Sequence, residues 1–117
     1  MNNDIPGKSM QTSLDDLAEQ AVIVVLHIRN RNNPASRALE GKLVRMMDEF
    51  REDPIRFVTL DWEGPGKGVL EKFPISEFPY MIFFLGGEVE STISGYHPDR
   101  VEREIHHLID RAKLLGL

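Results

Sequence analysis

The sequence predicts an α/β domain in which a mixed sheet of about four strands lies between helices in a three-layer sandwich. Short apolar or alternating runs are separated by amphipathic stretches, which indicates strands connected through helices. The pair Gly86-Gly87 separates two strand-like runs, and such a tight turn joins antiparallel strands. Strands separated by helices need parallel crossovers, so the sheet is mixed and the expected element order is αβαβαββα.

Length and composition set the domain count and exclude several classes of function. The 117 residues suffice for one domain, which we place at residues 12–117 behind a flexible polar tail at residues 1–11. A net charge of −5 argues against nonspecific binding to nucleic acid or to an anionic membrane, because both depend on clustered cations. The longest aliphatic run, residues 21–26, is too short to span a membrane, and we expect a cytoplasmic protein.

The first two elements are a short helix and a buried strand. A capping residue, Thr12 or Ser13, precedes two aspartates whose carboxylates favour the positive dipole end of a helix at residues 13–17. Residues 21–28 are mostly β-branched and almost wholly apolar, which is typical of a strand covered on both faces. This strand is therefore expected at the centre of the sheet.

A long helix is predicted over residues 34–50. Pro34 suits its first turn, because the amide hydrogen that proline lacks would be unpaired there. Gly41 weakens the middle of this helix. An apolar stripe recurs at three- and four-residue steps and is expected to pack on the sheet: Leu39, Leu43, Met46 or Met47, and Phe50.

The middle of the chain predicts a strand at residues 55–61, a loop at 62–68 and a short helix at 68–73. The loop is rich in glycine and proline, which no regular element would tolerate. Its sequence, Gly64-Pro65-Gly66-Lys67-Gly68, lacks the Gly-x-x-x-x-Gly-Lys-Ser/Thr spacing of a phosphate-binding loop. We therefore expect a plain loop.

The last third of the chain predicts a hairpin and a helix. Residues 80–85 and 88–94 form the two strands around the glycine turn. The final helix starts at residues 97–99 and ends at Gly116, a residue typical of helix ends. Its predicted core-facing stripe is Val101, Ile105, Leu108, Ile109, Ala112 and Leu115.

This half of the sequence resembles a thioredoxin-like domain. Pro79 precedes an apolar strand, Gly87 lies in the turn and Gly95 closes the next strand, at the spacing that thioredoxins show for their cis-proline and two glycines. The resemblance covers residues 13–112 and implies a cis bond between Phe78 and Pro79.

The chain differs from thioredoxins at the positions of their two reactive cysteines. The resemblance places Asn33 and Ser36 at the two cysteine positions of the first loop, and an alignment anchored on Pro34 shifts the match by one residue. Because the chain contains no cysteine, disulfide exchange, thiol nucleophiles, Cys-ligated zinc and iron–sulfur clusters are excluded. His27, near the buried acid of thioredoxins, is the nearest candidate base for Ser36, and we favour a structural, hydrogen-bonded histidine there.

What the resemblance leaves is a groove that would hold an extended peptide without reacting with it. Trp62 is expected either to be exposed at the groove or to pack under its own loop. For Arg29 and Arg31, near the end of the first strand, we favour the interpretation that they only solvate the strand end. Tyr96 would alternatively mark a homodimer patch. The candidate partner-binding residues are Arg31, Asn33, Pro34, Ser36, Trp62, Phe78, Pro79, Gly95, Tyr96 and His97.

One subfamily fits better than thioredoxins in general. Cysteine-free accessory proteins of [NiFe]-hydrogenase maturation (the HyaE/HupG type) resemble the chain at Phe78-Pro79, Phe84, Gly86-Gly87 and Gly95-Tyr96-His97-Pro98. This resemblance implies a chaperone that binds the hydrogenase small subunit or its twin-arginine signal peptide, and an acidic groove would suit such a basic ligand.

Other functions receive less support. In a glutathione-transferase-like enzyme, Ser36 would hydrogen-bond the thiolate of bound glutathione, but the helical domain that binds the second substrate is missing from the sequence. The stretch at residues 33–39 resembles the first loop of KaiB-class clock proteins, whereas the long hairpin speaks against that class. The four histidines show no His-x-x-x-His pair and no acidic cluster, so we expect neither a metal site nor a cofactor.

Overall fold

A computed structural model describes residues 14–73, 75 and 77–117 of the chain. The predicted tail and the predicted cap of the first helix lie outside these residues. The order αβαβαββα is confirmed: α1 Leu14–Ala18, β1 Ile23–Arg29, α2 Pro34–Glu49, β2 Ile55–Asp61, α3 Gly66–Leu70, β3 Tyr80–Leu85, β4 Glu88–Ser94 and α4 Pro98–Leu115.

The four strands form one mixed sheet in the order β2-β1-β3-β4. Strand β1 pairs in parallel with β2 and antiparallel with β3, which confirms its central position. Strands β3 and β4 form the antiparallel hairpin, and both turn residues, Gly86 and Gly87, have positive φ angles of 59° and 87°. Positive φ at both central positions is what a two-residue hairpin of this twist requires.

Successive side chains of β1 point to opposite faces of the sheet, and each face has its own core. Ile23 and Val25 pack with the apolar stripes of α2 and α4, whereas Val24, Leu26 and Ile28 pack with α1 and α3. The sheet is therefore the middle layer of a three-layer α/β sandwich. None of the helices in the described ranges combines the length and the apolar character that a membrane span needs.

The helices differ from the prediction in the start of α3 and in Leu115, which was expected in the core-facing stripe of α4 but is 57% exposed near the end of that helix. Helix α3 starts at Gly66, inside the predicted loop, and ends at Leu70. A Cβ at Gly66 would lie 2.7 Å from the carbonyl oxygen of Asp61, so glycine is present because the chain passes close to that backbone. On α2, Met46 is buried and Met47 is 48% exposed, which settles the alternative left open in the stripe.

Candidate functional site

One end of the sheet collects the loops that carry the candidate residues. Ile28, near the carboxyl end of β1, pairs with Tyr80 at the start of β3, and Tyr80 pairs with Ser94 at the end of β4. The Trp62 amide donates to the Arg29 carbonyl (2.9 Å), which ties the loop after β2 to the same end. We call these loops, residues 30–33, 62–65, 77–79 and 95–97, the rim.

The first rim loop is closed by its own hydrogen bonds. Asn33 caps α2: its side-chain oxygen accepts a hydrogen bond from the Ser36 amide (2.9 Å). The Ser36 hydroxyl accepts a hydrogen bond from the Asn30 amide (3.2 Å), and Ser36 is fully buried. The prediction that Ser36 lies at the rim is therefore wrong, because its side chain is buried and its hydroxyl is bound to the Asn30 amide. The same burial argues against contact between Ser36 and a bound thiolate.

A network of charged side chains supports this loop from the strand ends. Arg29 donates to Asp61 (2.6 Å) and forms a second ion pair with Glu40 of α2. Arg31, whose side chain is 71% exposed, donates to the other oxygen of Asp61 (3.1 Å). The hydrogen bond from Arg29 holds the pKa of Asp61 below its usual value. The favoured interpretation of Arg29 as a residue that only solvates the strand end is wrong.

The bond between Phe78 and Pro79 is cis, as the resemblance implies. Pro79 is buried, and its carbonyl accepts a hydrogen bond from the Gly95 amide (2.8 Å). None of the described residues pairs with the backbone N–H or C=O of Phe78. The residue before the cis-proline therefore keeps one donor and one acceptor for an external backbone.

Glu77 is a rim residue that the sequence reasoning missed. Gly95 has a φ of +89°, and a Cβ there would lie 2.9 Å from both the Cδ and an Oε atom of Glu77. The carboxylate of Glu77 thus rests against the bare backbone of Gly95, next to Pro79. The available signal was an acidic residue just before Phe78-Pro79, together with a glycine that the resemblance had already placed beside the proline.

Trp62 and Phe78 form the aromatic wall of the rim. Their ring centroids are 5.7 Å apart at an angle of 45°, and both side chains are half-buried against the core on the α1 and α3 face. Trp62 is therefore neither fully exposed nor fully buried, and its predicted role in binding stays a prediction. Its Nε1 atom is buried and has no hydrogen-bond partner in the described chain.

The remaining rim candidates are mostly exposed. Pro34 starts α2 at the surface, and Tyr96 and His97 connect β4 to α4. Tyr96 is 40% exposed, and His97 precedes α4 without a side-chain capping bond. Among the candidates, Ser36, Pro79 and Gly95 are buried.

His27 is buried on β1, and neither ring nitrogen has a hydrogen-bond partner within the described residues. Burial, with a smaller contribution from the charge of Arg29, lowers the pKa of His27 to about 4. The ring is therefore neutral at neutral pH. The burial of this histidine agrees with the predicted core position, but the predicted hydrogen bond is wrong within the described residues.

Tertiary packing also creates a group of metal-ligating side chains away from the rim. Glu49, at the end of α2, meets Glu102 and His106 of α4, and one ligand atom of each lies within 4.8 Å of the others. Burial and the neighbouring Glu102 raise the pKa of Glu49. The sequence alone shows no acidic cluster with a histidine, but in the folded chain Glu49 and Glu102 lie beside His106. The predicted lack of a metal site stays a prediction.

No model of a protein family matches the sequence, and neither does any curated protein. Solved structures match the fold well. Oxidised mitochondrial thioredoxin 3 from Saccharomyces cerevisiae superposes with a TM-score of 0.73 at 17% identity, covering 80% of this chain and 86% of that one. A mutant thioredoxin from Halobacterium salinarum gives 0.72 at 16% identity, covering 85% of both chains.

Oxidised thioredoxin from Plasmodium falciparum gives a TM-score of 0.69 at 15% identity, covering 81% of this chain and 88% of that one. These identities show the fold and nothing of the activity. The chain therefore has a thioredoxin fold and contains no cysteine. The architecture predicted from the element order is confirmed.

Proposed function

We propose that this chain is a redox-inactive, thioredoxin-like module that binds an extended, basic segment of a client protein at the rim. The observation that carries the proposal is the unpaired backbone of Phe78 beside cis-Pro79, with the carboxylate of Glu77 next to it. An extended segment would pair its backbone with Phe78, as in strand addition. Because the chain has no thiol, the client would be held and released unchanged.

The carboxylate of Glu77 is the reason to propose that the client segment is basic. It would accept charge-assisted hydrogen bonds from a guanidinium group, which are stronger than those between neutral groups. The half-buried rings of Trp62 and Phe78 supply an apolar surface for the neighbouring side chain. Arg31, in contrast, already shares its charge with Asp61 and is a weaker candidate for binding.

The finer proposal concerns the client. We propose the hydrogenase small subunit or its twin-arginine signal peptide, on the strength of the resemblance at Gly95-Tyr96-His97-Pro98 and of the acidic group beside it. Two adjacent arginines would place one guanidinium on Glu77, while the backbone pairs with Phe78. The proposal requires no metal and no cofactor.

Isothermal titration calorimetry with a synthetic twin-arginine peptide tests this function. We expect Glu77→Gln to weaken binding about tenfold, because it removes one charge-assisted contact. Glu52→Gln is the matched control, since Glu52 is exposed in the turn between α2 and β2, away from the rim. Failure of the peptide to bind the unaltered chain would contradict the proposal, and equal weakening by both variants would contradict the role of Glu77.

A further inference from the structure

A second surface lies between the edge strand β4 and helix α4. Among the described residues, β4 has β3 as its single strand partner, so β4 is an edge strand of the sheet. A groove of about 340 Å³ runs along this edge and α4, and we call it the β4–α4 groove. It is lined by Ser91, Thr92, Ile93, Arg100, Arg103, Glu104 and His107.

The walls of the groove are fixed by contacts between the strand and the helix. The Ser91 hydroxyl donates to Glu104 (2.6 Å), and Glu90 forms an ion pair with Arg111. Higher residue numbers on α4 thus meet lower ones on β4, so the helix runs roughly opposite to the strand. Ile93 belongs to the core shared with α4, which anchors the floor.

The charge of the groove is opposite to that of the whole chain. Arg100 and Arg103 are exposed one turn apart on α4, and His107 follows one further turn along. Neither arginine forms an ion pair with any residue that the structure describes. The lining carboxylate, Glu104, is engaged by Ser91. Two unpaired cations therefore face this groove on a chain of net charge −5.

From this arrangement we propose that the β4–α4 groove binds an extended acidic segment of a partner protein, which adds as a strand to β4 and places carboxylates on Arg100 and Arg103. Strand addition supplies affinity through backbone hydrogen bonds, and the cations select the side chains. Side chains on one face of a strand recur every second residue, about 7 Å apart. Two arginines about 4.5 Å apart along the helix axis reach such a pair with their long side chains.

The register of β4 limits the segment to a short one. Pairing between β3 and β4 is irregular at Phe83 and Phe84, which interrupts the regular register near the start of the edge strand. The regular edge beside the arginines is residues 91–93. The acidic residues of the partner are therefore expected at alternate positions over about four residues.

Fluorescence anisotropy tests the proposal with a labelled peptide that alternates glutamate with threonine or valine. We expect Arg100→Glu/Arg103→Glu to weaken binding by tenfold or more, and Arg100→Gln/Arg103→Gln to weaken it less. Arg56→Glu is the control, because Arg56 is an exposed arginine on the opposite edge strand, β2. A peptide with lysine in place of glutamate is expected not to bind this groove, so any binding that it shows at the rim should be unchanged in Arg100→Glu/Arg103→Glu.

Two results would overturn the proposal. An equal loss of peptide affinity in the Arg56→Glu control would mean that binding depends on the net charge of the chain and not on the groove. Undiminished binding of a peptide whose inward amides are N-methylated would contradict strand addition to β4. Since the probe is acidic and the rim is proposed to bind a basic segment, this test is independent of the proposed function.

Discussion

The carboxylate of Glu77 lies in the space that a side chain on residue 95 would fill. An ideal Cβ at Gly95 comes within 2.9 Å of that carboxylate, and the residue also has a φ of +89°. The positive φ favours glycine at this position, and an added Cβ would also have to displace the flexible end of Glu77. This contact places a negative charge beside cis-Pro79, and the proposed preference for a basic client depends on it.

Gly95→Ala is expected to lower the free energy of unfolding by about 1–3 kcal/mol and to displace Glu77. Adding Glu77→Ala should restore part of this loss, since it relieves the clash and leaves the φ strain. Denaturant unfolding measures both. Gly41→Ala is the matched control: a Cβ there meets nothing within 4 Å, and the exchange should stabilise α2 by about 0.5–1 kcal/mol. If the effects of Gly95→Ala and Glu77→Ala on the free energy of unfolding simply add in the double variant, the contact between the two residues is contradicted.

His27 makes the fold sensitive to acid in a defined pH window. Its pKa is about 4 in the folded chain against 6.5 ordinarily, so the unfolded chain binds the proton first. Stability should fall as the pH drops from 6.5 to about 4, by on the order of 3 kcal/mol in total. Unfolding curves over this range measure the slope.

Replacement of His27 by leucine should remove the dependence of stability on pH in this window. It should also raise stability at neutral pH, because an apolar side chain replaces a buried ring whose nitrogens have no hydrogen-bond partner in the described chain. His107→Leu, at an exposed histidine of α4, is the control and should leave the slope in place. A slope that survives His27→Leu would show that other groups cause the acid sensitivity.

Asp61 acts in a lower pH window. Its pKa is lowered by the hydrogen bond from Arg29, so its contribution is complete above the ordinary value of 3.8 and is lost as the pH falls through the folded value. Asp61→Asn should lower stability by about 1 kcal/mol at neutral pH. The difference from the unaltered chain should shrink below pH 3.8. A difference that does not change with pH would contradict the ion pair.

Burial and the neighbouring carboxylate of Glu102 raise the pKa of Glu49, so its ionisation lowers the stability of the fold, whereas that of Asp61 raises it. Ionisation of Glu49 opposes folding, so Glu102→Gln should raise the melting temperature at neutral pH, with a smaller gain where Glu49 is protonated. Glu52→Gln, in the exposed turn before β2, provides the comparison. No gain from Glu102→Gln would show that the two carboxylates do not repel each other in solution.

The sheet could be predicted because its signals are local. The strands at 55–61, 80–85 and 88–94 have the expected bounds, since apolar runs and the glycine turn lie within each segment. The early start of α3 was not predicted, because the helix begins within the Gly64-Pro65-Gly66 stretch, where glycine and proline are typical of a loop. Local composition alone predicts a loop there.

The site was predicted less completely than the fold. The resemblance located Pro79 and Gly95 correctly, but burial of Ser36 follows from the Asn33 cap, which is a property of three-dimensional geometry. The contact between Glu77 and Gly95 and the meeting of Glu49 with Glu102 depend on tertiary packing between segments. A single sequence carries no periodic signal for such contacts.

The central claim is that the rim holds an extended basic segment beside cis-Pro79. The most direct measurement is amide chemical-shift mapping by NMR during titration with the twin-arginine peptide. We predict the largest shifts at Phe78, Gly95 and Tyr96, reduced in Glu77→Gln. Shifts confined to the β4–α4 groove or to the face around Glu49, or no shifts at all, would contradict the claim.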